Sequence, residues 1–121
     1  MTRVVILAAL LALTAAGMPS AGSRLQMDVT PTLAYADARL WVTTRIEPAD
    51  EHREIEVIAE SETFYRSSAI TLDGARAPRR NVFEFSGMPA GDYDIRAVLK
   101  GQDGSELAVS EAKLTLFETG R

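Results

Sequence analysis

Two strand patterns are joined through a short turn in the segment Phe85-Ser86-Gly87-Met88-Pro89-Ala90-Gly91-Asp92-Tyr93-Asp94-Ile95. Before the turn, Phe83 and Phe85 share one face of a short run. After it, apolar or small residues recur at every second position from Tyr93 to Leu99, which predicts a strand with one buried face. The glycines and proline between the two runs predict a turn at 86–91.

The same period of two recurs along the rest of the chain. In the run from Ala38 to Ile46, Leu40 and Val42 lie on the inner face and Trp41 lies on the outer face. Further strands are predicted within 25–29, 54–60, 64–72 and 107–117, with a loop at 75–80 and a hairpin connection at 101–104. Seven short strands without a sustained helical period predict an all-β, antiparallel sandwich over residues 24–118.

Gly91 and Tyr93 carry a resemblance to a known fold family. The segment is similar to the turn-Gly-x-Tyr entry to the penultimate strand of immunoglobulin-like and fibronectin type III-like domains. The resemblance implies a seven-stranded immunoglobulin-like sandwich in which the Tyr93 hydroxyl bonds back to the backbone of the preceding turn. Gly91 and Tyr93 are thus structural candidates. The resemblance concerns the fold alone, because this architecture hosts many unrelated activities.

Residues 1–22 have the layout of a secretory signal peptide. Arg3 supplies a positive charge, Val4 to Ala16 is an apolar run, and Gly17 to Gly22 is small and turn-prone. The run is shorter than the roughly 20 residues that a spanning helix needs, and Pro19 closes it. We therefore expect an exported protein, secreted or periplasmic and bacterial, that meets the membrane only during export.

The composition limits the chemistry of the chain. Its 121 residues leave room for one domain, carry a formal net charge of -4, and include one histidine and no cysteine. Zinc needs several His or Cys ligands, so no metal site and no cofactor are predicted. The acidic balance and the export signal argue against nucleic acid as a partner.

His52 is the only candidate for a catalytic base, and no nucleophile frame such as Gly-x-Ser-x-Gly accompanies it. We expect a solvent-facing loop histidine and no catalytic residues. The sequence therefore predicts that the protein is not an enzyme, with a small hydrolase as the remaining alternative.

Two features are candidates for binding. Trp41 either lies exposed beside Arg39 and Thr43, as on partner-binding sheets, or packs beneath the N-terminal segment around Tyr35, which is the usual fate of large aromatic residues. The arginines are the second feature, because guanidinium groups bind carboxylate, phosphate or sulfated partners. A charged, solubilising loop is their alternative role. The arginine candidates are Arg66, Arg76, Arg79 and Arg80.

These features predict a non-catalytic exported binding or interaction module whose partner is a protein or a glycan. A structural or assembly subunit that pairs through its edge strands is the alternative.

Overall fold

The computed structural model describes residues 25–118 of the chain. The signal peptide predicted at residues 1–22 lies outside the described residues. The described part consists of eight strands and one short 3-10 helix. In chain order these are β1 (Leu25–Thr30), β2 (Leu33–Tyr35), β3 (Ala38–Ile46), β4 (Glu54–Glu60), β5 (Tyr65–Thr71), the 3-10 helix (Gly74–Arg76), β6 (Arg80–Met88), β7 (Gly91–Lys100) and β8 (Glu106–Phe117).

The strands form two sheets that pack face to face. One sheet has three strands in the order β1-β3-β6, and the other has five in the order β2-β8-β7-β4-β5. The inner faces share one core, to which Leu40 and Phe85 contribute from the smaller sheet and Val57, Ile95 and Leu114 from the larger. The predicted all-β class is confirmed.

The count of seven strands was wrong, because β2, a three-residue strand after Pro31, was not predicted. β1 pairs with β3 in the smaller sheet, whereas β2 pairs in parallel with β8 in the larger, so the prediction of a wholly antiparallel sandwich was also wrong. Pro31 separates the two segments and has no N–H with which to continue a ladder. The chain therefore leaves one sheet at Thr30 and enters the other at Leu33.

The turn predicted at 86–91 is shorter in the structure. β6 continues to Met88, and β7 already begins at Gly91. Gly91 has a φ of +154°, a backbone conformation that other residues rarely adopt, which explains the glycine at this position. The Tyr93 hydroxyl donates a hydrogen bond of 2.6 Å to the Pro89 carbonyl. This is the bond that the resemblance implies.

The two remaining connections differ in how well the sequence predicts them. The hairpin at 101–104 is present, and the Gly101 N–H donates to the Ser105 carbonyl at 2.9 Å. The loop predicted at 75–80 is shorter in the structure. The 3-10 helix ends at Arg76, and β6 already begins at Arg80, which pairs with Arg45 of β3. The backbone pairing of β3 with β6 thus extends into the region where Pro78 indicated a loop.

Candidate functional site

The outer face of the three-stranded sheet displays Trp41 among charged side chains. The alternation of β3 directs Arg39, Trp41, Thr43 and Arg45 away from the core, as the sequence predicts. Strands β1 and β6 flank this row on either side. We call this surface the Trp41 face, and it consists of Gln26, Asp28, Thr30, Arg39, Trp41, Thr43, Arg45, Arg80, Val82 and Glu84.

Trp41 is exposed at the centre of this face. It lies opposite Thr30 on β1 and Glu84 on β6, and 42% of its surface is accessible. Tyr35 lies in β2 of the other sheet, so of the two alternatives for Trp41 the one in which the segment around Tyr35 covers the indole was wrong. The physical reason is that the chain passes from one sheet to the other around Pro31, so Tyr35 pairs with β8 and does not lie over β3.

An apolar and a charged neighbour complete the surroundings of Trp41. Val82, on the adjacent strand and one position along the face, is 48% exposed. Arg39 forms an ion pair of 2.9 Å with Glu84, the residue directly opposite Trp41. An exposed tryptophan thus stands beside an exposed aliphatic side chain and a paired charge, and tryptophan is among the residue types that contribute most to binding energy at interfaces.

The structure brings two of the four arginine candidates to the end of the Trp41 face. Arg80 lies on β6 directly opposite Arg45. Arg79 precedes it and forms an ion pair of 2.7 Å with Glu47. Sequence reasoning missed Arg45 as a candidate, because its nearness to Arg80 depends on strand register.

Arg66 and Arg76 lie elsewhere and do not join this site. The Arg66 guanidinium donates to the Ser86 carbonyl at 2.6 Å and lies 5.2 Å from the centre of the Phe64 ring. It therefore connects β5 to β6 along the side of the sandwich. Arg76 lies in the 3-10 helix, in a separate surface groove that Arg53 also lines.

The two structural candidates form a compact support for the turn. Tyr93 is buried, and its ring meets Phe64 edge-on at a centroid distance of 6.2 Å. Burial raises the pKa of the Tyr93 phenol above its ordinary value of 10.0, while the nearby Ser61 hydroxyl and Arg66 partly oppose this shift. The neutral phenol is the form that donates to Pro89.

The outer face of the five-stranded sheet carries a second groove, of about 590 Å³, which Ile58, Arg96 and Glu111 help to line. Val98 on this face is only 1% exposed, although it is not part of the core between the sheets. The interruption of the outward polar pattern by Ile58 is the sequence signal for this groove. Salt bridges cross the face, and the ammonium of Lys100 lies 2.9 Å from the Glu56 carboxylate, which raises the lysine pKa.

His52 is buried, so the expectation of a solvent-facing loop histidine was wrong. It is 3% exposed, and its Nδ1 has no hydrogen-bond partner. The backbone causes this burial, because the His52 N–H donates to Ala49 and its carbonyl accepts from Gly74. The loop after β3 thereby folds inward against the loop after β5.

The described residues contain neither a grouped set of metal-binding side chains nor a membrane-spanning helix. Across 25–118, no three His, Cys, Asp or Glu side chains are grouped closely enough to hold a metal ion. In that same part of the chain, no helix is long and apolar enough to cross a bilayer.

Comparison with known proteins yields structures but no sequence family. No family model and no curated protein matches the chain. A fibronectin(III)-like module of Clostridium thermocellum CbhA matches with a TM-score of 0.55 and 12% identity, over 79% of this chain and 99% of that one. The superoxide reductase (neelaredoxin) of Ignicoccus hospitalis matches with a TM-score of 0.53 and 13% identity, over 85% and 89% of the two chains.

A family 76 glycoside hydrolase from a bovine Bacteroides thetaiotaomicron strain has a TM-score of 0.55 and 15% identity. This chain covers only 20% of its length, although the match spans 77% of this chain. Likenesses at such low identity concern the fold alone. They support an immunoglobulin- or fibronectin-like β fold for residues 25–118.

Proposed function

We propose that this chain is an exported, non-catalytic binding module that contacts a protein or glycan partner through the Trp41 face. The observation that carries the proposal is the exposure of Trp41 on a regular strand, with Val82 exposed beside it. Removal of a tryptophan ring from water is strongly favourable. A partner that covers the Trp41 ring would therefore gain binding free energy from it. Export is proposed from residues 1–22.

The rigidity of the sheet supports a binding role for this face. Trp41 is held between β1 and β6 by pairing on both sides of β3. A ring on a central strand loses little freedom on binding, which favours affinity. The Arg39–Glu84 ion pair and the arginines at the end of the face supply a polar rim.

Trp41→Ala tests this proposal. Because the indole is partly exposed, we expect thermal stability to stay near that of the wild type. Binding to a partner found by a glycan screen or by capture from the periplasm should weaken about thirtyfold or more, since aromatic anchors contribute about 2 kcal/mol. Tyr65→Ala is the matched control, because Tyr65 is an exposed aromatic residue on β5 of the other sheet.

Fluorescence provides a readout that needs no partner. Trp41 is the only tryptophan in the chain, so emission near the solvated, red-shifted limit is expected. Blue-shifted emission together with a large stability loss in Trp41→Ala would contradict the proposal.

The alternative is a structural subunit that pairs through an edge strand. β5 bonds to a neighbour on one side only, and residues 65–69 are all exposed. Such an edge can accept a strand from a partner chain. Ala69→Lys places a charge on that edge. Loss of association in Ala69→Lys, with Trp41→Ala unaffected, would favour this alternative over the Trp41 face.

A further inference from the structure

Arg45 and Arg80 lie directly opposite each other on neighbouring antiparallel strands. The adjoining N–H of Ile46 donates to the carbonyl of Arg79 at 2.9 Å. Bonded and non-bonded pairs alternate along such a ladder, so Arg45 and Arg80 form a non-bonded pair, the kind in which side chains lie closest. Two positive charges are therefore adjacent on one face of the sheet.

This pair carries a cost in the free protein. Like charges directly opposite each other destabilise a sheet, and neither guanidinium makes an ion pair or hydrogen bond with any residue of the described chain. Two acids of the surrounding surface, Glu47 and Asp28, form no ion pair with either arginine. Glu47 forms its ion pair with Arg79. Asp28 on β1 lies opposite Thr43, and is therefore a diagonal rather than a direct neighbour of Arg45.

A surface groove lies at this pair. Its volume is about 260 Å³, which is enough for a small anionic group, and Ile46 is the apolar residue of its lining. Gln26 lies opposite Arg45 on the side away from Arg80, so its amide is a further donor in the same row across the sheet. The groove is lined by Gln26, Arg45, Ile46, Glu47, Arg79 and Arg80.

We propose that Arg45 and Arg80 form a binding site for a tetrahedral oxyanion group, the phosphate or sulfate ester of a ligand that lies along the Trp41 face. This proposal rests on the proposed function and names the chemistry of its ligand. Guanidinium forks bind the oxygens of such groups with paired, charge-assisted hydrogen bonds. A bound anion replaces the repulsion between the two arginines with two attractions.

The distance between Trp41 and Arg45 sets the spacing of the groups that a ligand needs to reach both. Trp41 and Arg45 are four residues apart on β3, which corresponds to roughly 13 Å along the strand. A ligand that uses both sites carries an apolar or ring-shaped part at that distance from its oxyanion group.

Titration with inorganic sulfate and inorganic phosphate tests the site without a partner. At constant ionic strength, the melting temperature of the purified protein should rise and saturate with either ion, because a ligand that binds only the folded state stabilises it. Acetate at the same ionic strength should bind more weakly, because its single charge and two oxygens engage one guanidinium fork rather than two. Arg45→Gln and Arg80→Gln should each weaken sulfate binding about tenfold or more, since each removes one charged fork.

Arg76→Gln is the matched control, because it removes the same charge from an exposed arginine outside the groove. It should leave sulfate affinity unchanged. In low salt without sulfate, Arg80→Gln should melt at a higher temperature than Arg76→Gln, because it also relieves the repulsion with Arg45. Methyl phosphate and methyl sulfate, compared at pH 8, then identify the ester that the site prefers.

The proposal is overturned if sulfate raises the melting temperature without saturation and equally in the wild type, Arg45→Gln and Arg76→Gln. That outcome is the general effect of an excluded salt on any folded protein. Trp41→Ala should bind sulfate like the wild type. Failure of the proposed function therefore shows as unchanged partner capture by Trp41→Ala, and failure of the oxyanion site shows in the sulfate titration alone.

Discussion

Tyr93→Phe removes one hydroxyl from the turn between β6 and β7 and leaves the ring in place. The hydroxyl donates to the Pro89 carbonyl at 2.6 Å, and Pro89 is only partly buried, so water can reach the carbonyl in the variant. The expected loss is therefore about 1 kcal/mol, the net contribution of one such bond, rather than the larger cost of a fully buried unpaired group. For a domain of this size, that corresponds to about 4–8 °C in melting temperature.

Urea denaturation at neutral pH measures this loss, and the slope of the transition should stay constant because the variant buries the same surface. Tyr65→Phe is the matched control, since the Tyr65 side chain is exposed and its change should stay within about 0.5 kcal/mol. If Tyr93→Phe were as stable as Tyr65→Phe, the bond to Pro89 would make no net contribution, and Tyr93 would stabilise the fold only through the packing of its ring.

Alkaline pH gives the burial of the same hydroxyl a signature of its own. Burial raises the pKa of Tyr93 in the folded protein above 10.0, so the unfolded chain releases this proton first. Above pH 10 the unfolded state then binds fewer protons than the folded state, and stability falls with pH until the folded pKa is passed. Tyr93→Phe lacks this contribution, so the stability difference between the two proteins should shrink as the pH rises.

Two further predictions concern His52 and the N-terminus. His52→Leu should be neutral or slightly stabilising in thermal melts, because it replaces a buried ring whose Nδ1 has no partner by an apolar side chain. A loss above about 2 kcal/mol would mean that the imidazole makes an essential contact there. N-terminal sequencing of the protein recovered from the periplasm or medium should begin between Gly17 and Leu25, and intact Met1 on a membrane-bound protein would contradict export.

The sequence predicts the strands well because their signal is local. Alternation within β3 and β7 places Trp41 outside and Ile95 inside without knowledge of any partner strand. The turn before Tyr93 is equally local, since a glycine and a tyrosine two residues apart define it. These features depend on short-range sterics and on the burial of one strand face.

Features that depend on long-range pairing were not predicted. β1 and β2 belong to different sheets because β1 pairs with β3 and β2 pairs with β8. β8 is the last strand of the described chain, so this pairing leaves no signal in the sequence near β2. The juxtaposition of Arg45 and Arg80 depends on the register of β3 against β6. The burial of His52 arises from a backbone contact with Gly74 in a distant loop. No residue pattern within a few positions contains this information.

The parallel pairing of β2 with β8 has a mechanical consequence. The chain enters β2 at Leu33, opposite Thr115, and leaves β8 at Phe117, opposite Tyr35. Tension between the two ends of the described chain first loads β1 and then pulls β2 and β8 along their length in opposite directions.

The bonds between β2 and β8 run across that pull. The Thr115 N–H donates to the Thr32 carbonyl at 3.0 Å, and the Ala36 N–H donates to the Phe117 carbonyl at 2.6 Å. Under shear these bonds bear the force together, whereas a hairpin pulled at its open end separates one bond at a time. The parallel pairing of β2 with β8 thus resists extension along the line that joins the two ends of the described chain.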